Sequence, residues 1–300
     1  MFAVLAVLAS GAVQAQPARL FFDDFGHRDS DALRAFGWVL REAPGHPGVP
    51  GARWAPDAVQ LVDDPDDPRK PAGNRLLRLT ARTDGTPQGT VQAQACHQRK
   101  ALFGTYAARV RFSDQPTSGA DGDPVIQTFY AVAPLRFAFD PEFSEVDWEY
   151  LPNGGWGSPA TRLYSVAWQT VQVEPWLAFN ASRETDGSQA GWRTLVMQLA
   201  QGKSRWFIDG REVALHGGRN HPVVPMAISF NLWFSPGGLL PQSSQPRVWV
   251  QDIDWVLHAA DEVLTPQAVQ DTVRILRGRG LQRFDSLPAV QPVLESTCSF

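Results

Sequence analysis

The sequence predicts an all-β fold, an antiparallel β-sandwich of jelly-roll type with a C-terminal helix, and three observations carry that expectation. Strand-length runs of apolar and aromatic residues follow one another at short intervals, with no helix-period stretch between them until residue 265. Pro (24) and Gly (25) are spread along the 300 residues, which suits many turns better than long helices. Hydrophobic residues make up 43% and charged residues 19%, the composition of a globular chain and not of a disordered one.

Read from the N-terminus, residues 20–25 form a short aromatic strand. Residues 58–62 and 76–81 follow, the latter alternating Leu77 and Leu79 with Arg78 and Thr80, as a half-buried strand should. Between them residues 63–69 make an acidic, proline-punctuated turn; it lacks EF-hand spacing and is read as a solvated loop and not as a calcium site. Further strands are expected at 90–95, 105–112, 125–130, 144–151, 163–173, 193–199, 204–208, 226–233 and 248–256. Asp209-Gly210, between Ile208 and Glu212, is a hairpin turn. Thr265-Pro266 then supplies an N-cap and a first-turn proline, and Val269, Val273 and Leu276 recur at helical spacing, so a helix is predicted over 266–277. The residues after it read as an irregular tail. Without repeats or a low-complexity linker, one domain over 20–258 followed by a helix and tail over 259–300 is the economical division.

Residues 1–15 have the form of an export leader. The apolar run 2–9 is too short to span a bilayer, and Val13-Gln14-Ala15 offers a small-x-small cleavage site after Ala15. No Lys or Arg precedes the run, which points to a misassigned start or a longer natural N-terminus. A secreted or periplasmic monomer is expected. The two cysteines, Cys96 and Cys298, either form one disulfide tying the tail to the body or remain two buried thiols; both readings stand at this point. A net charge of −4 with no basic patch leaves no footprint for nucleic acid. Six His form no metal-type cluster, and no later stretch is apolar enough to be a membrane helix. Eleven Trp against four Tyr is a surplus of flat aromatic surface; most belong in the core, yet several remain to line a groove that stacks sugar rings.

The informative segment is Ser144-Glu145-Val146-Asp147-Trp148-Glu149-Tyr150-Leu151. In a strand, Glu145, Asp147 and Glu149 share one face, and Val146, Trp148 and Tyr150 the other. The apolar set belongs to a core, so the acids face away from it. Three carboxylates in a row repel each other, and strands are poor in Asp and Glu. A solvated acidic edge strand or a calcium site would account for the pattern; so would glycosidic cleavage with retention, in which one carboxylate attacks the anomeric carbon and a protonated one donates to the leaving oxygen. Backbones four residues apart on a strand are separated by about 13 Å, so a curved sheet and inward-leaning glutamates are needed to bring the carboxyls to the ~5–5.5 Å that retention requires. Crowding of like charges would raise one pKa and suit it to general-acid work.

This strand resembles the catalytic strand of glycoside hydrolase family 16 in its unbulged, lichenase-like form, Glu-x-Asp-x-Glu. The likeness extends over roughly residues 20–257: Phe21-Phe22-Asp23-Asp24-Phe25 is similar to the family's opening strand, Phe103-Gly104-Thr105-Tyr106-Ala107-Ala108-Arg109-Val110 to its Tyr-Gly-x-Tyr strand, Trp192 with Arg205-Trp206-Phe207-Ile208-Asp209-Gly210 to its Trp-rich hairpin, and Pro225-Met226 through Asn231-Leu232-Trp233 to its Asn-Leu-Trp strand. The resemblance implies a concanavalin A-like jelly roll, Glu145 as nucleophile, Asp147 as its assistant and Glu149 as acid/base. It implies no organic cofactor and leaves room for a structural calcium. Three departures stand out: Ala107 where the family commonly has a sugar-contacting Glu, Asp57 where Asn is usual, and Pro152-Asn153-Gly154-Gly155-Trp156-Gly157 in place of a glycine-led continuation.

For the substrate, Asn231 and Trp233 share a strand face, Trp156 lies in a glycine-rich loop just past the acids, and only one of Trp168 and Gln169 can meet the groove. Arg109 is a candidate for binding substrate or the acids, with a structural ion pair as its alternative; Trp206, Trp249 and Trp255 are expected in the core. The reading is a retaining endo-β-glycanase acting on a β-linked polysaccharide, β-glucan favoured. A carbohydrate-binding sandwich without activity, or a transglycosylase using the same carboxylates, are the alternatives.

Overall fold

The computed structural model describes residues 19–67 and 73–299; the expected leader lies outside them. Among the described residues the chain runs β1 (Leu20–Asp23), α1 (Ser30–Ala35), β2 (Val39–Leu40), β3 (Arg53–Trp54), β4 (Val59–Asp63), β5 (Arg75–Thr83), β6 (Val91–Cys96), β7 (Gly104–Phe112), β8 (Val125–Val132), β9 (Glu145–Leu151), β10 (Arg162–Gln172), β11 (Leu177–Asp186), β12 (Gly191–Ala200), β13 (Lys203–Ile208), β14 (Arg211–His216), β15 (Ala227–Phe234), β16 (Arg247–Ala260), α2 (Pro266–Gly278) and β17 (Arg283–Asp285).

The strands form two antiparallel layers. One runs β4–β5–β16–β7–β12–β13–β14, with β1 pairing the distal half of β16 and β17 pairing β1. The other runs β2–β6–β15–β8–β9–β10–β11. Strand β6 also touches the first layer, through one pair with β5 and a parallel pairing with β3.

Between the layers lies the main core. Val146, Trp148 and Tyr150 of β9 enter it from one side, and Ala108, Val110, Leu195, Met197, Trp206, Trp249 and Ile253 from the other. Trp148 meets Trp206 edge-on, with ring centroids 5.1 Å apart. The far face of the first layer is also apolar, and α2 covers it: Val269, Val273 and Leu276 pack on Ala107, Val196, Trp255 and Leu257. The helix begins where the sequence predicts, with the Thr265 side chain accepting a hydrogen bond from the Ala268 amide. The outer face of the second layer is where the acids emerge.

The helix α1, capped by Asp29, interrupts what the sequence presents as an all-strand region; it is a single short turn-and-a-half with one buried residue, Leu33, too brief to show a period. β11 also escapes the pattern, because most of its residues are exposed and it lacks an alternating apolar face. The tail is less irregular than expected, since β17 and a 3-10 turn at Thr297–Ser299 give it defined attachments. Cys96 and Cys298 are joined in a disulfide that closes a separation of 202 residues. No helix among the described residues is long and apolar enough to cross a membrane.

Candidate active site

Strand β9 is interior to its sheet, hydrogen-bonded to β8 on one side and β10 on the other, which removes the reading of an acidic edge strand. Alternation decides its faces: Val146, Trp148 and Tyr150 are fully buried in the core, so Glu145, Asp147 and Glu149 project from the opposite face. Asp147 is buried; Glu145 and Glu149 are half-buried.

The neighbouring strands set the surroundings by register. Glu145 lies between Val132 and Trp168, Asp147 between Tyr130 and Val166, and Glu149 between Thr128 and Tyr164. Residues directly opposite in antiparallel strands share a face, so these side chains line the row of acids. Two indoles close on it. Trp168 Nε1 donates to Asp147 Oδ2 at 2.9 Å, and Trp156 Nε1 donates to Glu149 Oε2 at 3.0 Å. Trp156 adopts a positive φ of 50°, a conformation that costs a bulky residue energy and that persists where surrounding structure holds it. Its ring lies 6.0 Å from that of Trp233. Asp147 Oδ1 is buried and has no hydrogen-bond partner.

Electrostatics follow from burial and proximity. Desolvation pushes the Glu145 carboxyl up to about 8, and the Glu149 charge adds to the rise. Desolvation also raises Asp147 well above the usual carboxylate range, with Glu149 and then Glu145 contributing and the Trp168 N–H opposing. Glu149 is pushed up to about 7 by desolvation against the pull of the Trp156 N–H. The three groups therefore cannot all be ionised near neutral pH, and the row retains at least one proton there. A set of carboxylates of which some are charged and one still holds a proton can supply a nucleophile and an acid together.

Of the other sequence candidates, Asn231 is on the acid-bearing face but buried, held by Thr128 Oγ1, which donates to its Oδ1 at 2.6 Å, while its own Nδ2 donates to the Tyr130 hydroxyl at 3.2 Å. Trp233 shares that face and is nearly buried, packed with Trp54, Ile126 and Tyr164, its indole N–H without a partner. Trp168, not Gln169, meets the acids; Gln169 falls at a bulge opposite β11. Trp206 and Trp249 are in the core, and Trp255 is buried beneath α2.

Two expectations need correction. Arg109 is on the first layer, where its guanidinium pairs with Asp254 at 3.1 Å and lies over the Trp192 ring; the sandwich separates it from the acids because β7 belongs to the other sheet. Ala107 lies on the same outward face, beneath α2, so no side chain at that position could reach a sugar on the acid-bearing sheet. Arg109 is thus structural, as its alternative reading had it.

Residues the sequence did not single out complete the surface. Tyr130 is buried at the level of Asp147, its hydroxyl accepting from Gln94 Nε2 at 2.7 Å; burial and then the Glu145 charge raise its pKa. Trp176, in the β10–β11 turn, stands edge-on to Trp168 at 6.2 Å and is 59% exposed. Alternation along β8 could have found Thr128 and Tyr130, two polar residues on the same face as the acids; Trp176 lies in a turn that gives no such signal. Among the described residues no group of three or more His, Cys, Asp or Glu is disposed to hold a metal ion.

No protein-family model and no curated protein sequence matches the chain. Solved structures do match. A prokaryotic β-1,3-1,4-glucanase (lichenase) derived from a mouse hindgut metagenome is 18% identical, covers 80% of this chain and 99% of its own, and superposes with a TM-score of 0.57. The Bacillus licheniformis β-glucanase is 14% identical over 81% of this chain and 99% of its own, TM-score 0.56. A glycoside hydrolase family 16 endo-glucanase from Bacteroides ovatus is 14% identical over 79% and 98%, TM-score 0.56. Over about four fifths of its length, the chain has the β-sandwich fold of the family 16 glucanases.

Proposed function

We propose that the protein is a retaining β-glycanase, with β-glucan the favoured substrate, Glu145 the nucleophile, Asp147 its assistant and Glu149 the acid/base. The observation that carries this reading is the row of three carboxylates on an interior strand, desolvated together and each facing away from a core that the alternate residues fill. Such a row destabilises the folded chain, and retained glycosidic cleavage is a chemistry that uses it. The reacting arrangement has Glu145 charged and the proton on Glu149, the reverse of the free row, where Glu145 is held at about 8 against about 7 for Glu149, so the proton passes to Glu149 before attack. Glu145 then attacks the anomeric carbon while Glu149 gives its proton to the departing glycosidic oxygen; in the second step Glu149, now charged, takes a proton from water, which displaces Glu145. Asp147, buried beside both and tied to the Trp168 N–H, influences which of the two keeps the proton. The neighbours of like fold include enzymes named for mixed-linkage glucan and laminarin oligosaccharides, which supports a β-glucan; their 12–18% identity leaves the linkage to experiment.

The test is reducing-sugar release from a panel of β-glucans, galactans and xyloglucan, with the anomer of the first product followed by NMR. Cleavage of a β-glucan with retained configuration is expected. Inversion would remove the two-step route, and cleavage only of a galactan would move the substrate while keeping the chemistry.

A further inference from the structure

Glu145 and Glu149 are displaced from one another along a strand, and a glycosidic bond must lie between them. A polysaccharide bound for cleavage therefore runs across the strands. The two directions it can take are unlike. Toward β11 the acid-bearing face continues past Trp168, which the Trp176 indole meets edge-on, to Asn180 and Ser182, both exposed.

Toward β6 the same face is blocked. At the level of Asp147 the register passes from Tyr130 to Ser229, then Cys96, then Val39 at the sheet edge. Cys96 is thus on the acid-bearing face, three strands from Asp147, or about 14 Å at ~4.8 Å per strand. There it is bonded to Cys298, which is buried against Cys96, Ala227 and Val39, and Ser229 beneath has no exposure. One level along, Arg41 Nη1 donates to Gln94 Oε1 at 2.8 Å, and at the next level the Val49 amide donates to Gln92 Oε1 at 3.3 Å, so the 41–52 segment closes those levels too.

The tail that reaches this point starts on the other sheet. β17 pairs with β1, Asp285 pairs with Lys100, and Leu287 enters the main core. Residues 288–295 then run mostly exposed, and burial resumes only at Ser296 and Cys298, on the acid-bearing face. A strap that buries little of itself until it arrives beside the site acts on the site's shape more than on the core.

Resting on the glycanase reading but replacing the endo mode expected from the sequence, we propose that the C-terminal tail, pinned through Cys96–Cys298, is the end wall of the substrate cleft, so that the protein cuts a polysaccharide at a short, fixed distance from one chain end in place of attacking internal bonds. On the cleaved polymer of the panel above, the wild type is expected to release oligosaccharides of narrow length with little loss of viscosity per bond broken. C96A/C298A, and separately a chain truncated after Val290, should still cleave, but give a broader and longer product series and a several-fold steeper fall in viscosity per reducing end; a melting curve shows that each variant is folded. A wild type that lowers viscosity steeply and yields random lengths overturns the inference and leaves the glycanase reading intact, and this profile needs no variant. Folded variants with an unchanged narrow series overturn it equally. If no polymer is cleaved, the glycanase reading fails and takes the wall with it.

Discussion

The two halves of the acid-bearing sheet share a fold and differ in almost everything else. On the β6–β15–β8 side, polar groups bond to one another under cover: Arg41 to Gln94, Gln94 and Asn231 to Tyr130, Thr128 to Asn231. On the β10–β11 side, Trp168 is half-buried and the residues beyond it face solvent. The strands are built alike; what differs is which segments were laid over them, the 41–52 loop and the disulfide-bound tail on one side only. Polar side chains on a sheet face are therefore not equivalent as binding groups. A covered network stabilises structure and an uncovered one is free to meet a ligand.

Predictions that break or sharpen this contrast begin with the row between the halves. Glu149→Gln should lower kcat by about 10²–10⁴ with the fold retained; near-normal turnover of polymer would remove Glu149 as the acid. Next in size is the staple on the covered side. The C96A/C298A variant should lose about 2–4 kcal/mol of unfolding free energy, since the bond closes a long loop in the unfolded chain, and denaturant titration measures it directly.

Glu145→Gln separates stability from activity. Its carboxyl is raised from 4.5 to about 8, so the fold favours the protonated form. That contribution is complete below pH 4.5 and is lost as pH rises through 8. Glutamine cannot ionise, so the variant should be inactive yet more stable than wild type at pH 8, on the order of 1–3 kcal/mol, with the gain vanishing near pH 4. Equal melting temperatures at both pH values would contradict it.

Smaller effects contrast the two sides. Tyr130→Phe strips the oxygen that receives Gln94 and Asn231 and should cost about 1–3 kcal/mol of stability. Trp176→Ala, on the open side, should change stability by less than about 0.5 kcal/mol while raising KM for polymer a few-fold. The reverse pattern, Tyr130 acting on KM and Trp176 on melting, would invert the assignment of the halves. Trp156→Phe removes the N–H that favours charged Glu149, so its pKa should rise and the alkaline limb of the pH–activity profile should move to higher pH.

The period of the sequence made much of this legible. The alternation Glu145-Val146-Asp147-Trp148-Glu149-Tyr150 places acids and core residues on opposite faces with no other information, and both sets lie where alternation puts them. The helix at 266–277 was readable from its cap and its i, i+4, i+7 apolar residues, and is observed as Pro266–Gly278. Arg109 misled because alternation tells which face of a strand a residue occupies, not which of two sheets the strand joins. Trp233 and Asn231 were placed on the correct face, but their burial depends on neighbours distant in sequence, Trp54 and Thr128 among them.

Local spacing thus determined the strands, the hairpin turn, the helix cap and the common face of the three carboxylates, because each depends on backbone geometry that repeats every two or four residues. Only the tertiary structure decided that β9 is an interior strand, that Cys96 meets Cys298, and that one direction along the acid-bearing face is walled while the other is open. Those facts depend on which distant segments pack together, and pairing across 202 residues leaves no periodic trace in the chain.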